Sequence, residues 1–171
     1  MAALVQQDHP GVTWWCPQLP PSPQTAMALI DAGLAAWPRD TMAVVGSSLG
    51  GFYATAVAEH YGCKAVLLNP AVQPERDLAG FIGEQSSWQD PEERFFFAPH
   101  FIDELRALQA GPLKIPAHYL AIIAKGDEVL DWREMAARYA SATSCLLEGS
   151  DHGLSDFDAL LPAVLDFLAL A

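Results

Sequence analysis

Gly46-Ser47-Ser48-Leu49-Gly50 is the stretch whose residue types and spacing most directly suggest chemistry. It fits G-x-S-x-G, with an apolar run before it and a helical pattern after it, the setting in which a serine rides on a sharp strand-to-helix turn. Only Ser48 has glycine two residues before and two residues after it; Ser47 does not. A side chain at either flanking position is expected to meet the neighbouring strand or helix, which accounts for Gly46 and Gly50. The turn would lift the serine Oγ clear of the backbone. A helix beginning at Leu49 would aim its free N–H groups at the same point, where an oxyanion could be held. The chemistry is then acyl transfer, with Ser48 as nucleophile and the Leu49 N–H as an oxyanion donor. The plainer readings are a Gly/Ser turn or a phosphate-binding loop. The second lacks the lysine of a Walker loop, and G-x-G-x-x-G is absent.

A serine hydroxyl is a weak nucleophile until a histidine takes its proton and a carboxylate orients that histidine. Behind an elbow of this type the chain order is serine, acid, histidine. The sequence has five histidines. His9 precedes a proline, His60 falls near the end of the helix after the elbow, His100 lies in an irregular stretch, and His118 opens an apolar run. His152 alone follows a late apolar run in a short loop, where parallel sheets gather their sites. Asp127, in Gly126-Asp127-Glu128, leaves the run before it and is the favoured acid. Glu128, Asp131 and Asp151 are its rivals. Asp131 is placed to cap the next helix, and Asp151 adjoins His152 too closely to reach its Nδ1 with ease.

Elements must carry these side chains to one place. Apolar runs at 12–16, 42–45, 65–68, 117–124 and 144–147 alternate with helical patterns at 24–37, 49–61, 101–110, 132–141 and 157–170. That alternation predicts βα units and a mostly parallel sheet with helices on both faces, an α/β fold. The 171 residues suit a single domain of which 51% is apolar. One cap-like insertion is expected at about 73–111. Its Trp88, Phe95 and Phe96 are candidates for an acyl pocket, or for pinning the insertion to the core; Asp103-Glu104 reads as a solvated helix face.

Composition narrows the partners. Nine basic against 21 acidic residues give a formal charge of −12, which repels phosphate backbones and anionic lipid. Nucleic acid and membrane are therefore excluded as partners. The three cysteines, Cys16, Cys63 and Cys145, are scattered without CxxC spacing; they read as buried thiols, neither disulfides nor metal ligands. No basic leader precedes an apolar stretch at the start, so the expected location is the reduced cytoplasm.

Gln18-Leu19-Pro20-Pro21, the run Gly46 to Thr55, Asn69-Pro70-Ala71-Val72, Gly126-Asp127-Glu128-Val129-Leu130-Asp131 and the His152 loop resemble the YqiA-type small esterases, which are bacterial α/β-hydrolases. The resemblance runs in order over about 12–168. It implies a Ser48–Asp127–His152 triad, activity on short acyl esters or thioesters, a small-molecule substrate, and no cofactor or metal. Such esterases open with a strand inside the sheet and a His-Gly-Phe loop that supplies the second oxyanion donor. No His-Gly dipeptide precedes Ser48 here, and Met1 to Val5 resembles the helix that should follow that loop. The resemblance therefore implies a fold lacking the first strand, in an N-terminally shortened version. A sheet edge left open in this way is expected to invite association between copies. Two functions stand side by side: a serine esterase, and a catalytically impaired hydrolase-like fold serving as a binding protein or relic.

Overall fold

The computed structural model describes residues 5, 7–86 and 92–170. Along the chain it has α1 (Pro23–Leu34), β1 (Ala43–Ser47), α2 (Leu49–Tyr61), β2 (Lys64–Leu68), α3 (Pro74–Asp77), β3 (Gly83–Ser86), β4 (Arg94–Phe97), α4 (Phe101–Leu108), β5 (Tyr119–Ala124), α5 (Trp132–Arg138), β6 (Thr143–Leu147) and α6 (Leu161–Leu168). Four strands make one sheet in the order β1-β2-β5-β6, and every neighbouring pair is parallel. The register aligns Ser47 with Leu68, and Leu68 with Ile122, so the strands end together on the side where the loops carry Ser48, Asn69 and Asp127.

Side chains alternate across a strand, and here both faces are apolar. Ala65 and Leu67 of β2, with Tyr119, Ala121 and Ile123 of β5, pack in a core with α1, α2, α4 and α5. Val66, Leu120, Ile122 and Ala124 face the other way, against Leu154, Phe157, and Val164 and Phe167 of α6. All six residues of β5 are buried, as expected of an inner parallel strand covered on both sides. Each fully buried Leu or Ile there contributes about 1.5–3 kcal/mol.

Local chemistry sets the helix ends. Ser22 accepts the Thr25 N–H through its hydroxyl, and Pro23 starts α1 where a missing N–H costs nothing. Gly62 closes α2 in the left-handed region at φ 74°, its N–H returning to the Ala58 carbonyl. Glu104 of α4 accepts from the Ser22 hydroxyl at 2.8 Å and the Gln24 N–H at 3.0 Å. Of the expected solvated pair, Glu104 is thus part of the α1 cap, while Asp103 stays exposed.

Three expectations are corrected. Residues 12–16 form no strand: the Trp15 ring lies on Gly33 of α1, where a Cβ would stand 2.1 Å away. Apolar patterning describes a surface that can be covered, whereas a strand also needs a partner backbone. Among the described residues β1 therefore pairs with β2 alone. The insertion is more regular than expected, for β3 and β4 form an antiparallel hairpin that pairs Glu84 with Phe96. Of the cysteines Cys63 is buried, its thiol pushed up to about 11 by desolvation, but Cys16 is exposed and Cys145 half-buried. Met1 to Leu4 and Trp88 lie outside the described residues. No described helix is long and apolar enough to cross a membrane.

Candidate active site

The turn from β1 to α2 holds Ser48 at φ 53°, ψ −122°, a region that costs an L-residue strain. Main-chain hydrogen bonds hold it there. The Ser48 N–H donates to the Leu68 carbonyl, and the Ser48 carbonyl accepts from Gly51 and Ala71, each at 2.9 Å. The flanking glycines differ in their reasons. A Cβ on Gly46 would stand 2.1 Å from the Gly50 carbonyl oxygen, so the turn cannot close with a side chain there. At Gly50 the same atom would meet nothing within 4 Å. The close approach predicted for Gly50 belongs to Gly51, whose added Cβ would stand 2.7 Å from Cβ of Pro70. Leu49 is the first residue of the 13-residue α2, so its N–H has no intrahelical partner and lies at the positive end of the helix dipole.

His152 and Asp127 come from the loops after β6 and β5. The His152 Nε2 is 2.9 Å from Ser48 Oγ, and its Nδ1 is 2.8 Å from Asp127 Oδ2. The Asp127 side chain is fully buried, and its Oδ1 accepts the Val129 and Leu130 N–H groups at 2.8 Å each. A carboxylate can only accept, so the neutral imidazole carries its proton on Nδ1 and turns a lone pair on Nε2 toward the serine hydroxyl. The structure thus brings together the three side chains singled out in the sequence.

The rival acids have other work. Glu128 Oε2 accepts the His152 main-chain N–H at 3.0 Å, bracing the loop without touching the ring. Asp131 caps α5 through the Arg133 N–H. Asp151 accepts from the hydroxyl and N–H of Ser155, which hold its carboxyl below its ordinary value. Among the other histidines, the His118 Nδ1 meets the Gly62 carbonyl, His60 packs edge-on against Tyr61, and His100 faces Glu104. The His9 N–H returns to the Val5 carbonyl.

Phe95 and Phe96 point to opposite sides of β4. Phe95 packs on the core, while Phe96 is 58% exposed. Neither lines the open groove of about 450 Å³ along the acid loop, formed by Lys125 and 127–133. In that groove the Lys125 ammonium and the Arg133 guanidinium each lie over the Trp132 ring. Sequence reasoning missed Asn69, whose side chain is fully buried beside the His152 loop. An Asn-Pro step closing an apolar run was the available signal.

A parallel sheet covered on both faces, with a strained serine between strand and helix, defines the α/β-hydrolase fold. Solved structures agree. The mouse alpha/beta hydrolase domain-containing protein 10 superposes with a TM-score of 0.63 at 16% identity, over 86% of this chain and 70% of its own. A monoacylglycerol lipase of Paleococcus ferrophilus gives 0.62 at 14%, over 88% and 76%. The esterase domain of a Rhodothermus marinus protein gives 0.57 at 20%, over 82% and 65%. Within that fold the chain belongs to the Uncharacterised protein family (UPF0227), the YqiA family, which residues 1–169 match. A UPF0227 protein of Vibrio parahaemolyticus is 26% identical over 125 residues, which are 72% of this chain. The chain spans 63% of the length of that relative.

Proposed function

We propose that this chain is a serine hydrolase that cleaves short acyl esters or thioesters through an acyl-enzyme. The observation that carries the reading is the line of contacts from Ser48 Oγ to His152 Nε2 and from His152 Nδ1 to Asp127. Ser48 Oγ adds to the acyl carbon as its proton passes to Nε2. The Leu49 N–H stabilises the oxyanion that forms, and Asp127 stabilises the imidazolium. Collapse of the tetrahedral intermediate breaks the bond to the alkoxide or thiolate, which leaves with the proton from Nε2. Water then adds to the acyl-enzyme, with His152 again the base, and releases the carboxylic acid and Ser48. No step calls for a metal or cofactor.

One observation favours a second reading, an impaired hydrolase-like fold that binds rather than turns over. Among the described residues nothing pairs with the outer edge of β1, the side from which a second oxyanion donor would come. Loss of one such donor costs about 10²–10³ in turnover. A fluorophosphonate probe separates the readings, because it labels Ser48 only where that serine is activated. Labelling of Ser48, with p-nitrophenyl acetate hydrolysis reduced ~10⁴-fold or more in Ser48→Ala and about 10⁴-fold in Asp127→Asn, is expected. A folded chain that is not labelled, or hydrolysis unchanged in Ser48→Ala, would overturn the hydrolase reading.

A further inference from the structure

One buried polar side chain beside the site has no part in the mechanism above. Asn69 is 0% exposed and stands in the left-handed region at φ 41°, where asparagine is among the few side chains accepted. Its own N–H continues the sheet, donating to the Ile122 carbonyl at 2.9 Å. Its carboxamide then bonds in two directions. Oδ1 accepts the N–H of Ala124, the last residue of β5, at 2.8 Å. Nδ2 donates to the main-chain carbonyls of Asp151 and His152, both at 3.0 Å. The orientation of the amide follows from the chemistry, since a main-chain N–H can face only the oxygen and two carbonyls can face only the NH₂.

These contacts join the pieces that carry the triad. Ala124 leads into the acid loop, its carbonyl accepting the Asp127 N–H. Two residues beyond Asn69, the Ala71 N–H donates to the Ser48 carbonyl, and Pro70 between them packs on Gly51 of the elbow helix. The His152 loop has no ladder of its own. It is bent by two non-glycine residues in the left-handed region, Ser150 and Leu154, and is braced by local bonds such as Leu154 N–H to the Asp151 carbonyl together with these outside ones.

We propose that Asn69 is a positioning residue, whose carboxamide pins the main chain of the His152 loop to the end of β5 and so sets the imidazole between Ser48 and Asp127. The proposal rests on the reading of His152 as the base. Aspartate at this position would keep the size and the acceptor for Ala124 but turn an oxygen toward two carbonyls. Alanine would leave the Ala124 N–H and the His152 carbonyl without this partner, the first of them buried, which is costly in itself, while the Asp151 carbonyl keeps the Leu154 N–H.

The test compares wild type, Asn69→Asp, Asn69→Ala and Ser48→Ala. The readouts are p-nitrophenyl acetate kinetics, fluorophosphonate labelling rate, circular dichroism, and the downfield proton resonance of the His152 ring N–H, assigned by its loss in His152→Gln. Displacing a catalytic group by ~1 Å costs roughly 10²-fold. The folded variants should therefore lose about that much kcat and labelling rate at nearly constant KM, and lose or broaden the ring N–H resonance. A folded Asn69→Asp that reacts at the wild-type rate and keeps the resonance overturns the proposal. Should wild type carry the resonance without reacting, while Asn69→Asp loses it, the hydrolase reading falls and the positioning role stands. Should neither variant fold, the wild-type Asn69 carboxamide protons decide: slow exchange with water is expected, and free exchange overturns the proposal.

Discussion

At the scale of single residues, the site consists of short-range contacts whose partners lie far apart in the chain. Asp127 and His152 owe their proposed roles to where their polar atoms point, and their acidic neighbours differ in the same respect. Glu128 and Asp151 flank the proposed acid and base, yet each contacts only main chain or Ser155. Asp151 supports a prediction about pH. The Ser155 hydroxyl and N–H favour its ionised form and depress its carboxyl in the folded chain. A depressed carboxyl contributes stability above its unfolded value of about 3.9, and that contribution fades as pH falls through the folded value. Asp151→Asn should therefore lower the Tm at neutral pH, and the difference from wild type should shrink to nothing as pH drops below ~4. Thermal melts across that range check it; a difference independent of pH would show that the carboxylate charge is not involved.

At the scale of elements, the serine turn depends on how closely α2 approaches the turn after β2. Contact of Gly51 with Pro70, and of Gly46 with the Gly50 carbonyl, sets that distance. Gly51→Ala should push the helix start off the 69–71 turn and cost about 1–3 kcal/mol. Gly50→Ala meets no atom within 4 Å and should leave the Tm unchanged or raise it by the helix propensity of alanine, up to ~1 kcal/mol. Melting curves of the two variants test this, and equal losses would contradict the assigned contacts. From the motif alone Gly50 looked equivalent in kind to Gly46, and Gly51 lay outside it. The pattern records which positions are small without saying which neighbour makes them so, and that neighbour, Pro70, arrives from another strand.

For the whole molecule, protection follows position in the sheet. β5 lies between β2 and β6 with every residue buried, whereas only Gly46 of β1 is buried. Amide exchange should be slowest in β5 and β2 and measurably faster in β1, whose outer side has no strand partner among the described residues, because unpaired edge groups exchange without global unfolding. Mass spectrometry or NMR after transfer to heavy water would show it. Protection of β1 equal to that of β5 would mean that its outer side is covered in solution, as the expected association of copies requires. The insertion is tied to the body by polar contacts as well as by its core residues. Arg76 pairs with Glu134 at 2.7 Å, and Arg138 donates to the Ala110 and Gly111 carbonyls. The exposed ion pair among these is worth little by itself.

The sequence by itself determined the order of apolar runs and helical patterns and the candidate side chains of the proposed chemistry. Each of these is local: an apolar run such as 117–124, or a serine between glycines, is legible within a few residues. The α/β-hydrolase fold and the family were legible too, through motifs spread in order along the chain. Tertiary structure alone decided that the run at 12–16 lies on α1 instead of entering the sheet, that a hairpin forms within the insertion, and that Gly51 rather than Gly50 is crowded. It also decided the placement of Asn69, whose carboxamide joins segments 55 and 83 residues away. The physical reason is common to all four. Pairing and close packing are properties of two surfaces at once, and a sequence pattern describes only one of them.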